Sequence, residues 1–284
     1  MDERFRPPLL LAGFFMAANL LGVAAGLRLQ GAAAVQQASA AYQAPAAGAV
    51  FFAVLVAATA LLLLLYRWHR ELLVKLWFSS ALILTAFILF NAFLPALPAA
   101  AFTAVFAVLR FRTGDMLLRN ALDTVPFAGT GALFGSLLSL RAVLVFAGLL
   151  AVYDYIAVNH IGHMQTLAKA GAASDMFMGF QYPKHGAVQE AGSEAVTVDR
   201  DGGEVQVGML GGGDVVLPMV LAVAVAPLFG AAASVAVVAG SAAALLLFLV
   251  AIQQVETDRF YPAIPVVGSG AVLGLVLYLA AAAL

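Results

Sequence analysis

The chain has no cysteine, so disulfide bonds, thiolate nucleophiles and cysteine-ligated metals are excluded together. Charge is scarce as well. Only 10% of the 284 residues are Asp, Glu, Lys or Arg, against roughly a quarter in a soluble domain. Fourteen basic and fifteen acidic side chains leave a net charge of −1, which offers no basic surface for nucleic acid. Histidine is rare, and no His-Glu-x-x-His pair occurs, so the common zinc-protease signature is missing. His160 and His163 are three apart and share a helix face, but a lone pair of ligands falls short of what a zinc site requires. No metal and no other cofactor is expected. Nor does a histidine fall within an apolar run, which leaves Ser269 in Val267-Gly-Ser-Gly270 without a base for serine catalysis.

What the chain does have is apolar sequence: 64% hydrophobic residues and a mean hydropathy of +1.01. A helix needs about 20 apolar residues to cross a bilayer. Nine candidate runs lie at Pro8–Leu27, Gly48–Tyr66, Leu76–Leu94, Pro98–Leu109, Leu122–Leu140, Ala142–Val158, Val207–Leu228, Ala231–Ile252 and Ala263–Leu284. The expected fold is therefore an all-α polytopic membrane protein with nine transmembrane helices. Small residues at four-residue spacing, such as Gly131/Gly135 and Gly270/Gly274, suit close helix contacts in lipid. If the N-terminus is cytoplasmic and the runs alternate, only Arg28 and Arg141 of the fourteen basic residues fall outside, which satisfies the positive-inside rule. The C-terminus is then outside. The charged start leads straight into the first run with no cleavage site, so that helix is expected to be retained.

Three regions follow: 1–159 with six helices, a cytoplasmic loop at 160–206, and 207–284 with three more. Within the loop, Val and Thr alternate from Ala195 to Val207 around Asp201-Gly-Gly203, a hairpin pattern. The second strand would run into the seventh helix. Its edge near Glu204–Val207 is a place where an unwound peptide could add as a strand.

Thirteen of the fifteen acids lie in loops or near run ends, Asp123 among them. Asp154 in Val152-Tyr-Asp-Tyr-Ile156 and Asp214 in Gly211-Gly-Gly-Asp-Val215 do not. An acid within a span costs roughly 2.5–3.5 kcal/mol on insertion scales and usually marks function. The sixth and seventh runs are antiparallel, with each acid set back six residues from the same surface, or about 9 Å at the helical rise. Two carboxyls at one level on neighbouring helices share a proton, as an aspartic protease requires. A proton- or cation-coupled transporter buries acids in the same way, and spacing alone does not choose between the two. The triple glycine before Asp214 lets another backbone approach closely. Tyr261-Pro-Ala-Ile-Pro265 leaves unpaired backbone groups at a helix entrance.

Tyr153-Asp154 resembles the YD motif of presenilins and signal peptide peptidases. Gly211-Gly-Gly213-Asp214 resembles their GxGD motif, and Pro262-Ala-Ile264 is similar to their PAL motif, with isoleucine in place of leucine. The stretch from Tyr153 to Ala168 is most similar to archaeal presenilin homologues. The resemblance covers most of the chain and implies a presenilin-like bundle that hydrolyses peptide bonds within the membrane. It implies Asp154 and Asp214 as the catalytic pair. Tyr153, Gly211, Gly213, Pro262, Ala263 and Ile264 would then contact substrate. The partners it implies are the bilayer and transmembrane helical substrates whose N-termini lie outside, with no accessory subunit required of so compact a chain.

Overall fold

The computed structural model describes residues 6–158, 178–183, 196–200, 203–253 and 261–284. Among them the helices are α1 (Arg6–Gln30), α2 (Ala33–Ser39), α3 (Ala46–Arg67), α4 (Glu71–Phe93), α5 (Ala96–Arg112), α6 (Met116–Leu137), α7 (Leu140–Ile156), α8 (Gly212–Gln253) and α9 (Ile264–Ala282). Three strands, β1 (Gly179–Pro183), β2 (Val196–Arg200) and β3 (Gly203–Gly211), lie between α7 and α8. Helices α1, α3, α4, α8 and α9 are long and apolar enough to cross a membrane. Their outward side chains include Val50, Val54, Leu72, Leu273 and Leu277, all exposed, which lipid tails accept without cost.

Helix α8 is folded rather than straight. Gly230 has φ 85° and ψ 170°, a conformation that glycine alone adopts readily. It divides the helix into two arms, 212–229 and 231–253. Ser234 Oγ in the second arm donates to the Ala222 carbonyl in the first, 2.7 Å away. With the arms counted separately and the seven-residue α2 set aside, the described residues place a helical segment at each apolar run.

The starts of three helices differ from the runs by five or six residues; α4 begins at Glu71 rather than Leu76. Asp115 caps α6 by accepting the Leu118 N–H, 2.8 Å away, so this helix starts at Met116 rather than Leu122. The segment read as the seventh span starts at Gly212 rather than Val207, because Val207–Gly211 belong to β3.

Among the described residues the first arm of α8 is the most deeply buried segment, with Leu217 and every residue from Met219 to Ala226 inside. It packs in the cleft between α1 and α6. A Cβ on Gly22 or Gly131 would collide with Met219 Sδ, and one on Gly26 or Gly135 would collide with the Val223 side chain. Each flanking helix therefore carries two glycines four apart, facing two α8 side chains four apart. Pro227 has no N–H to close on the Val223 carbonyl, and Gln30 Nε2 donates to that oxygen instead, at 2.9 Å.

The strands form one antiparallel sheet in the order β1-β3-β2. β2 pairs with the first half of β3, from Arg200 opposite Gly203 to Val196 opposite Val207. β1 pairs with the second half, from Pro183 opposite Val207 to Gly179 opposite Gly211. Glu204–Val207 are thus paired on the β2 side, while β1 reaches only Val207 on the other. β1 was not anticipated from the sequence. What holds it is tertiary: the buried Phe180 ring lies 5.8 Å from Phe14 of α1 and 5.4 Å from Phe127 of α6.

Asp123 needs a correction. It lies within α6 and is fully buried, together with Arg110 of α5, which is 2% exposed. Arg110 Nε and Nη2 both donate to its carboxylate. A buried ion pair is tolerated because each charge neutralises the other, and removing one partner strands the second. Arg110→Met or Asp123→Leu alone is expected to lower stability by about 3–5 kcal/mol. The double substitution should recover most of that loss, an order that thermal unfolding in detergent would check.

Candidate active site

Asp154 lies two residues before Ile156, the last α-helical residue of α7, and is 5% exposed. Asp214 is the third residue of α8 and is half-buried. The setback of six residues read from the apolar runs is therefore two at each helix end, and the symmetry between the acids remains. Gly211 N–H donates to Asp214 Oδ2 at 3.1 Å. An acid in the first helical turn, reaching back to the residue before the helix, satisfies one of the donors that a helix start leaves over. The dipole of α8 favours negative charge at this end.

The second carboxyl is held by α9. Ile264 N–H, at the start of that helix, donates to Asp154 Oδ2 at 3.3 Å. The Ile264 side chain is 5% exposed and packs with Leu150 of α7 and Leu217 of α8. Its Cδ1 lies 4.0 Å from where a Cβ on Gly213 would stand. Ile264 thus bonds Asp154 through its main chain and reaches toward the residue before Asp214 with its side chain, and the two carboxyls are near enough to act on each other electrostatically. Gly212 is confined by α6 and by Met178, the residue before β1. A Cβ there would come within 2.7 Å of Phe127 Cε1 and 3.2 Å of the Met178 carbonyl, and its N–H donates to that same carbonyl at 3.1 Å.

Asp154, Asp214, Gly211, Gly213 and Ile264 thus come together. Pro262 is half-buried and Ala263 buried just before α9. Tyr153 turns toward α3, its ring 5.9 Å from Phe52 in an edge-on contact. His160, His163, His185 and the rest of the stretch to Ala168 lie outside the described residues. Sequence reasoning missed Asn120, which is buried and bonded to β1. With the fifth run started at Leu122, this residue fell outside any helix. The available signal was its spacing of three from Asp123, which puts the two on one helix face.

These features define a class: a polytopic helical membrane protein with two carboxyls at the ends of neighbouring helices, one of them bonded to the entrance of a third. The family profile described as signal-peptide peptidase, presenilin aspartyl protease matches residues 12–284. The chain belongs to that family; it is an integral membrane protein and an intramembrane aspartic protease. A search of curated protein sequences finds no match. Among solved structures, a presenilin family intramembrane aspartate protease in space group C222 is similar over 95% of this chain and 96% of its own, with a TM-score of 0.64 and 20% identity. A presenilin family intramembrane aspartate protease in space group P2 is similar over 94% and 96%, with a TM-score of 0.63 and 22% identity. At such identities the likeness speaks for the fold.

Ile264 acts on Asp154 through its main chain, while its side chain fills space between α7 and α8. Ile264→Leu conserves volume and should change stability by less than about 1.5 kcal/mol, with turnover near that of the parent chain. Ile264→Ala vacates the site and should cost about 2–5 kcal/mol. Unfolding and turnover measured side by side would check both.

Proposed function

We propose that Asp154 and Asp214 are the catalytic pair with which this protease cleaves transmembrane helices. The observation that carries the assignment is that each carboxyl holds a main-chain N–H at a helix end, Asp154 that of Ile264 and Asp214 that of Gly211, with Ile264 standing between α7 and α8. In the working pair one acid is ionised and the other protonated. The ionised carboxylate takes a proton from water as the water oxygen attacks the amide carbon. The protonated partner donates to the carbonyl oxygen, and the roles exchange on collapse to amine and acid. A helical amide is shielded by its own hydrogen bonds, so the substrate must unwind locally before cleavage. Tyr153, Gly211, Gly213 and Pro262-Ala263-Ile264 line the peptide's path, with no cofactor and no accessory subunit.

Each of Asp154→Ala and Asp214→Ala is expected to abolish cleavage of a fluorogenic transmembrane peptide by the purified chain. The parent activity should be bell-shaped in pH, since both the fully protonated and the fully ionised pair are inactive. Cleavage that survives either substitution would sink the assignment.

The N-terminus is cytoplasmic and the C-terminus outside, so substrates enter with their N-termini outside. Arg110 is buried in its ion pair and drops from the count of loop cations, but Arg28 and Arg141 remain the only two on the opposite side. Two contacts support the alternation. Arg28 lies over the Phe93 ring at 5.2 Å, joining the ends of α1 and α4. Ser139 Oγ donates to the Gln43 carbonyl at 2.9 Å, joining the turn before α7 to the turn before α3. Because the chain lacks cysteine, single cysteines need no background removal. One at Gln43 should react with an impermeant maleimide from outside intact cells, and one at His69 only after lysis; the reverse pattern would invert the topology.

A further inference from the structure

We propose that Asn120 is a positioning residue for the active site, acting through β1 on the strand–helix junction that carries Asp214. The proposal rests on the assignment of Asp154 and Asp214 as the catalytic pair. Asn120 lies in the second turn of α6 and is 2% exposed. Its Nδ2 donates to the Gln181 carbonyl at 2.7 Å, and its Oδ1 accepts the Gln181 N–H at 2.9 Å. Both polar ends of one side-chain amide are thus spent on both main-chain groups of one residue.

Gln181 is the middle residue of β1. In an antiparallel ladder the N–H and C=O of a residue point to the same side, and successive residues alternate. Those of Gln181 point at α6, away from β3. The flanking Phe180 and Tyr182 are therefore the residues that bond across to Leu210 and Gly208, their partners in the register. Asn120 stands where a neighbouring strand would stand, for one residue only. A slip of β1 by one residue would turn the Gln181 groups to the wrong side and leave a buried amide unsatisfied, which disfavours the slipped register. The contact therefore sets both the height of β1 and its register.

What depends on that register is the Asp214 junction. Gly179 stands opposite Gly211, the residue whose N–H holds Asp214 Oδ2. Met178, just before β1, accepts the N–H of Gly212, the first residue of α8. Helix α6 also touches the junction directly, since Phe127, seven residues after Asn120 and so on the same face, is the ring that confines Gly212. α6 thus meets the junction at two points, Phe127 below Gly212 and Asn120 through β1. Of these, only Asn120 does so by directional bonds.

The test uses the full-length protein in detergent with the Asn120→Leu and Asn120→Asp variants. Leucine keeps the approximate volume and removes both bonds; aspartate keeps the acceptor for the Gln181 N–H and loses the donor to its carbonyl. Two quantities are read. The first is the split between kcat and KM on a fluorogenic transmembrane peptide. The second is the rate of oxidative crosslinking between cysteines at 154 and 214 in the otherwise cysteine-free chain, with and without N120L. N120L should lower kcat by about tenfold to a hundredfold, the scale of a misplacement near 1 Å. KM should stay within about threefold, since uniform substrate binding is not removed. N120D should fall between N120L and the parent. The crosslink should form more slowly in the N120L background. Unchanged kcat and an unchanged crosslinking rate in N120L would overturn the proposal. Should N120L fail to fold, N120D decides, and parent-like kcat in that variant overturns it equally. The crosslink needs no activity. If the single aspartate-to-alanine variants still cleaved while N120L slowed the crosslink, the catalytic assignment would fail and the positioning role would stand.

Discussion

A carboxyl group is costly in a low-dielectric interior, and the way each acid inside this bundle is held decides what it can do. Asp123 meets a guanidinium that donates twice and neutralises it. Among the described residues, Asp214 and Asp154 each meet one main-chain N–H, from Gly211 and from Ile264. A carboxylate offers about four acceptor positions, so one donor orients the group and leaves most of it available. The first acid is therefore a structural tie between α5 and α6. The other two are oriented without being neutralised, which is the condition a proton-exchanging pair needs.

Main-chain donors of that kind exist only where regular structure stops. Ile264 N–H is free because it opens α9, and Gly211 N–H because it ends β3. The fold concentrates its interruptions accordingly. Pro218 removes the N–H that would otherwise close on the Asp214 carbonyl, and Pro227 does the same at Val223. Within a membrane such gaps are tolerated where neighbouring side chains refill them, as Gln30 does at Val223. The glycines of α1 and α6 allow the first arm of α8 to sit close enough for that exchange. Irregularity along the first arm of α8 and close packing around it are two sides of one arrangement.

The sheet joins the chain between α7 and α8 to this arrangement. β3 runs without a break into α8, so whatever places β3 also aims Asp214. Its partner β1 is packed into the helix bundle through Phe180, which shares a hydrophobic cluster with Phe15, Phe127, Val215 and Ala263. A polar loop element is thereby tied to α1, α6 and the entrance of α9 at the level of the acids.

Much of this was legible in one dimension. Apolar run length is a local property, and it located the helical segments, including both arms of α8, whose break at Gly230 is bordered by Pro227. The two acids stood out because an acid inside an apolar run is rare, and the Val/Thr alternation marked the stretch that β2 and β3 occupy. Three things were not legible. Asp123 looked like a residue at a helix start because the capping bond from Asp115 that moves the start to Met116 is weak as a sequence signal. β1 is too short to show a period, and it is a strand because two phenylalanines and an asparagine from other helices hold it. The donors to Asp154 and Asp214 are main-chain groups, which carry no side-chain identity at all. Sequence alone thus determined which segments form apolar helices and which acids go with them, since both follow from local transfer free energy. Tertiary structure decided which of those acids is neutralised, which are merely oriented, and what holds the junction in place, because these depend on groups far apart in the chain meeting at hydrogen-bond distance.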